Sequence, residues 1–117
     1  MDERTFKERT KRLAIQIIRL VEMLPKRRAA QVIANQLVRA ATSVGANYRA
    51  ACRGRSTADV VAKLSLVEEE ADESLYWMEL LAEAGFVSET KLTDVMSEAN
   101  AIVAMTVASI KTLRGRR

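Results

Sequence analysis

Residues 56–85 read STADVVAKLSLVEEEADESLYWMELLAEAG, and this stretch decides the fold. Ser56 and Asp59 stand at capping-box spacing, in which a hydroxyl and a carboxylate satisfy orphan backbone N–H groups at a helix start. Gly85 closes the other end, where a helix commonly terminates on a left-handed residue that glycine adopts without strain. No proline or glycine interrupts the interval, and Val61, Leu64, Ala71, Leu75, Met78 and Ala82 recur at helical spacing. The pattern predicts a helix over 57–84, about 40 Å long at 1.5 Å per residue. In a chain of 117 residues, a rod of that length needs partners of similar length to cover its apolar stripe.

The flanking segments supply them. Upstream, Ile33, Leu37, Ala40, Val44 and Ala51 mark a helix over 26–52, with Gly45 inside it and Gly54 as its stop. Pro25 separates that helix from one over 5–23, where Thr5 and Glu8 have capping-box spacing and Phe6, Leu13, Ile17, Leu20 and Leu24 form the stripe. Downstream, Ser88 begins a helix over 89–113 that follows Leu92, Val95, Ala99, Ile102, Thr106, Ile110 and Leu113. Connections this short force neighbours to run antiparallel, so the expected fold is all-α: one domain over 1–117, an up-down-up-down antiparallel four-helix bundle. Composition agrees, since 49% of residues are apolar but only 4% aromatic, and one proline with four glycines leaves too few breakpoints for a β fold. The stripes are wider than one seam. Ile15, Ile18 and Val21 on the first helix, and Val103, Met105 and Val107 on the fourth, are either well-covered core or surfaces for self-association.

Charge is unevenly spread. No acid occurs between Met23 and Ala58, while Lys26, Arg27, Arg28, Arg39, Arg49, Arg53 and Arg55 do; the third helix carries Asp59, Glu68, Glu69, Glu70, Asp72, Glu73, Glu79 and Glu83 against Lys63 alone. Up-and-down order puts the start of the first helix, the end of the second, the start of the third and the end of the fourth at one pole. Thirteen cations gather in that half, among them Arg4, Lys7, Arg49, Arg53, Arg55, Lys111, Arg114, Arg116 and Arg117, against four carboxylates. With a total of +4 and a pI near 9.6, the other half is net acidic. RNA or DNA would approach the positive pole. The same cations would also complement the C-termini of the second and fourth helices and keep the surface soluble.

Catalytic patterns are sparse. The absence of histidine removes histidine acid–base chemistry and the Glu-x-x-His di-iron sites of helical bundles. Glu69, Glu70 and Glu73 form an E-E-x-x-E run whose last two members share a helical face and could hold Mg²⁺, but Glu89, Asp94 and Glu98 lack the spacing of a second acidic box. The alternative is that these acids pair with Arg39 across the contact of the second and third helices, or with a neighbouring subunit. Tyr76 and Trp77 cannot both face the stripe, so one is an interface anchor or Trp77 lies over the core with its N–H near water. Cys52, the single cysteine, can form no intrachain disulfide; Arg49 and Arg53 would lower its pKa if it were exposed, and otherwise it is a small packed residue. No catalytic residue, metal or cofactor is assigned, and no enzymatic activity is expected. A charged start over 1–11 and a weakly polar stretch of only 99–110 predict neither signal peptide nor membrane span, and with the lone thiol they point to the cytoplasm.

In the second helix, Gln36-Leu37-Val38-Arg39-Ala40-Ala41-Thr42-Ser43-Val44 followed by Asn47, then Arg55-Ser56 and Asp59, resembles the four-helix-bundle family named for proteins encoded in intervening sequences of 23S ribosomal RNA genes. The likeness covers nearly the whole chain, including the Leu24-Pro25 break and the Gly85 stop. It implies a bundle assembling into a ring of five, without established enzymatic activity and with a role in binding nucleic acid; the alternative reading of the chain is a protein-interaction scaffold with no nucleic-acid role. The accessory proteins of diversity-generating retroelements look like more distant relatives, similar basic pentamers that partner a reverse transcriptase and its RNA. This chain departs from the commoner pattern, with Tyr48-Arg49-Ala50-Ala51 where Ile-Ala-Glu-Gly is usual and Glu69-Glu70 where Gly-Ser is usual. Roles tied to that glutamate or glycine do not carry over.

Overall fold

The computed structural model describes residues 2–115, and among them the chain forms four helices and no strand: α1 (Glu3–Glu22), α2 (Arg28–Cys52), α3 (Thr57–Glu83) and α4 (Glu89–Arg114). The first start differs from the expected Thr5–Glu8 box. Asp2 is the cap: its carboxylate accepts from the Thr5 backbone N–H at 2.7 Å and from the Thr5 hydroxyl at 3.1 Å. An ionised carboxylate at this position satisfies an orphan donor and opposes the helix dipole, so it takes the place of the hydroxyl three residues later. The bond to the Thr5 backbone also holds the Asp2 carboxyl below its usual range. α2 begins two residues later than expected, because Arg27 is extended, offers no side-chain cap, and leaves Pro25–Arg27 outside the helix. Gln31 closes that linker by donating to the Pro25 carbonyl at 3.2 Å.

Both ends of α3 follow the sequence pattern. The Ser56 hydroxyl accepts from Asp59 N–H at 3.0 Å, while the Asp59 carboxylate accepts from Arg55 N–H at 3.2 Å, one residue outside the usual box. Gly85 is left-handed at φ +80, with Phe86 N–H bonded to Leu81 O and Gly85 N–H to Ala82 O, the paired closure of a Schellman motif. The closure folds Phe86 back against the core.

Gly54 ends α2 for a different reason. Its φ is not positive; instead a Cβ there would lie 2.4 Å from Val60 Cγ2 and 3.1 Å from the Ala51 carbonyl oxygen. A β-branched side chain and a backbone atom cannot easily give way. Gly54→Ala should therefore cost about 1–3 kcal/mol, the range for overpacking, read as a lowered denaturation midpoint with unchanged m-value.

The helices pack as antiparallel neighbours around a square, within extents of 49 × 21 × 21 Å. α1 meets α2 and α4, α3 meets the same two, and the backbones of diagonal helices do not approach. Phe6 packs against Tyr48 at a centroid distance of 4.4 Å with the rings tilted by 53°, and Arg27 lies over the Phe86 ring at 5.4 Å, fixing opposite ends of the bundle. The main core is built from Phe6, Leu13 and Ile17 with Leu37, Val44, Val67, Met78, Leu81, Leu92 and Ile102. Of the expected stripe, Leu20, Ile33, Ala82 and Leu113 are only half-buried, while Ala34, Val67 and Leu81 are buried instead. On α2 the alanine-rich line Ala30–Ala34–Ala41 faces inward, since small side chains let α2 and α3 approach closely along their length. Three hydroxyls are also buried, and each donates to its own helix: Thr10 to Lys7 O, Ser74 to Glu70 O and Thr106 to Ile102 O. Among the described residues no buried side-chain polar atom lacks a partner. None of the helices is long and apolar enough to cross a membrane.

Candidate functional site: the basic pole

Beneath one end of the bundle lies a second, smaller apolar cluster of Ala51, Val61, Leu64 and Ile110, flanked by Tyr48, Val60 and Leu113. This plug fills the space between the end of α2, the start of α3 and the end of α4. The cations of those segments therefore stay at the surface, because an arginine drawn inward would need a partner that the plug does not offer. Arg49, Arg53, Arg55, Lys111 and Arg114 are all exposed, and among the described residues none forms an ion pair. Arg4 and Lys7 share the pole but have partners one turn away, Glu8 at 3.5 Å and Glu3 at 3.1 Å. Arg116 and Arg117 lie outside the described residues.

The middle of the bundle is different. Arg9 of α1 grips Glu98 of α4 with two hydrogen bonds of 2.9 and 2.5 Å, in a part-buried site that also touches Met105. Hydrogen bonding to Glu98 raises the Arg9 pKa further. Arg9 thus belongs to an interhelical clamp and adds nothing free to the pole. Arg39 of α2 plays the same part toward α3, donating to Glu70 at 3.3 Å and to Glu73, while Gln36 accepts from its Nε at 3.2 Å. Glu73 also accepts from the Trp77 indole N–H at 2.9 Å. Both carboxylates of the E-E-x-x-E run that share a face are turned onto one guanidinium, and among the described residues no three acid or cysteine side chains gather to hold a metal ion. Glu69, exposed, and Glu68 share a furrow between α3 and α4 with Lys111 and Arg114, without forming an ion pair with either.

Trp77 is half-buried against the core with its N–H on a carboxylate, while Tyr76 is the exposed member of the pair. Trp77 is the only tryptophan, so its fluorescence reports this network. Glu73→Ala should change the emission of Trp77 yet lower stability by no more than about 1 kcal/mol, since Arg39 is half exposed and its pairing is screened by water. Cys52 is half-buried, and burial pushes its thiol up, away from the reactive range that Arg49 and Arg53 would have given an exposed sulfur. Burial likewise raises the Tyr48 phenol.

The signature run of α2 is used internally. Thr42 donates to Val38 O, Ser43 to Arg39 O and Asn47 to Ser43 O, so these polar residues satisfy backbone carbonyls of their own helix. The Arg9–Glu98 clamp and the furrow between α1 and α2 lined by Lys11 and Arg49 are not apparent in the sequence pattern. The run of small residues around Gly45 was the available signal for the furrow; the clamp left none, because it depends on the rotation of two helices distant in sequence.

Fold and site together define a four-helix-bundle protein with a surface-held cationic end and interhelical ion pairs at its middle. The family described as 23S rRNA-intervening sequence protein matches residues 3–108, and the chain belongs to that family. It is also similar to a solved structure, a protein of unknown function from the S23 ribosomal protein family of Bacteroides thetaiotaomicron VPI-5482. That likeness has 29% sequence identity and a TM-score of 0.87, and covers 95% of this chain and 99% of the other. No curated protein matches the chain in sequence. Neither the family nor the solved neighbour indicates a catalytic class.

Proposed function

We propose that the protein is a non-catalytic, cytoplasmic homo-oligomer that binds RNA or DNA through phosphates at its basic pole, without reading base sequence. One observation carries this reading: Arg9 and Arg39 are paired across helices at mid-bundle, whereas five exposed cations at the pole, Arg49, Arg53, Arg55, Lys111 and Arg114, have no carboxylate partner among the described residues. Charges needed for packing are neutralised where they stand, and charges left open in a cluster raise the local concentration of a polyanion. Phosphate contacts position a nucleic acid but do not specify its sequence, so binding through them is independent of sequence.

Oligomerisation has its own support. Ile15 and Ile18 are 40% and 43% exposed on α1, and Leu66 and Tyr76 are exposed on α3, the diagonal corner of the bundle. Exposed apolar side chains on two different sides suit the head-to-tail contact of a closed ring, in keeping with the five-fold assembly the family resemblance implies. These patches also favour a second reading, a protein-interaction scaffold with no nucleic-acid role.

Fluorescence anisotropy with two labelled duplexes of unrelated sequence, one RNA and one DNA, separates the two readings. At about 50 mM salt both duplexes should bind, with affinities for scrambled sequences agreeing within about threefold. Absence of binding at that salt overturns the proposal and leaves the scaffold.

A further inference from the structure

A furrow of 460 Å³ runs between α1 and α2 and reaches the basic pole. Its floor lies where the two helices come close: a Cβ on Gly45 would stand 3.2 Å from the Thr10 hydroxyl oxygen. Ala14 and Ala46 keep the walls low. Lys7 and Lys11 line the α1 side, one turn or about 6 Å apart, and Arg49 lines the α2 side. Lys11 and Arg49 form no ion pair among the described residues. The one carboxylate in the lining, Glu8, already faces Arg4.

No aromatic side chain lines the furrow. Single strands draw much of their affinity from bases stacked on aromatic rings, so a strand laid here would gain charge contacts alone. Free nucleotides are held by glycine-rich loops and helix N-termini, and neither faces this lining. A duplex presents its phosphates as an outer ridge with the bases turned inward, which suits a shallow neutral floor between cationic walls. We infer that the α1/α2 furrow seats the sugar–phosphate backbone of a double-stranded nucleic acid, with phosphates against Lys11 and Arg49, while Lys7 stays on Glu3 at 3.1 Å. This deepens, and rests on, the proposed nucleic-acid function.

The test compares two exposed alanines at similar depth from the pole. Ala46 lies in the furrow six residues from the end of α2, and Ala62 lies outside it five residues from the start of α3. Ala46→Glu and Ala62→Glu change net charge equally. Ala46→Glu should weaken binding of a mixed-sequence duplex by roughly tenfold and Ala62→Glu by no more than about threefold. The double variant Lys11→Gln/Arg49→Gln should flatten the slope of log affinity against log salt by about two. A single strand of equal length and ATP should each compete at least about tenfold less well than the duplex. Equal losses from the two alanine variants overturn the furrow while leaving the pole intact, and failure of the unaltered protein to bind any duplex removes the function beneath it. A single strand bound as tightly as the duplex also overturns the inference, as does loss of the oligomer on Ala46→Glu in sedimentation, which would make the furrow a subunit contact.

Discussion

Neutralising four pole cations together, Arg53→Gln, Arg55→Gln, Lys111→Gln and Arg114→Gln, should weaken duplex binding roughly a thousandfold at about 0.1 M salt. Each phosphate contact releases about 0.9 of a counterion, so losing four removes between three and four powers of ten at that concentration. Stability should change little, because these side chains are exposed and none holds a carboxylate among the described residues. The rival role of the same residues predicts the reverse. Arg53 caps α2, and Lys111 and Arg114 sit in the last turn of α4, where a cation complements the helix dipole by about 0.3–1 kcal/mol each. A variant that melts several degrees lower and binds as before would assign the cations to helix stability. Circular dichroism melts and anisotropy on one preparation distinguish the outcomes.

The second large effect lies in the core. Leu37→Ala should destabilise the bundle by about 2–5 kcal/mol, the range for deleting a fully buried leucine. Leu37 has no exposed surface and belongs to the main cluster, on the helix that packs most extensively against α3. The alanines beside it, Ala34, Ala40 and Ala41, are too small to collapse into the space, so the cavity persists. A loss below about 1 kcal/mol in urea titration would mean that α2 shifts to fill the void. Ile18→Ala, half exposed on α1, provides the contrast: the monomer should lose little, while the oligomer proposed above should weaken.

Features encoded by neighbouring residues were legible in the sequence. Ser56, Asp59 and Gly85 mark α3 because caps are local chemistry, and the short connections made antiparallel order the simplest outcome. The start of α1 departs from the sequence pattern for an equally local reason: Asp2 and Thr5 are both cap formers, and the Asp2 carboxylate captures the Thr5 N–H. Side-chain rotation was harder to read. Ile33 and Ala34 are adjacent, and only the close approach of α2 to α3 decides which of them is buried. At the site, the gathering of cations followed from helix order alone. Their division into paired and unpaired groups did not, because Arg9 meets Glu98 across 89 positions of chain. Gly54 stops α2 as the sequence pattern predicts, through the space it leaves beside Val60 rather than through a left-handed turn like that of Gly85.

At the pole phosphates take the place of carboxylate partners, and salt dependence measures that exchange directly. For the unaltered protein on a mixed-sequence duplex, log affinity against log salt between about 50 and 200 mM should fall with a slope of about −4 or steeper, as five open cations require. A slope shallower than about −1, or no binding at the low end of that range, would contradict it.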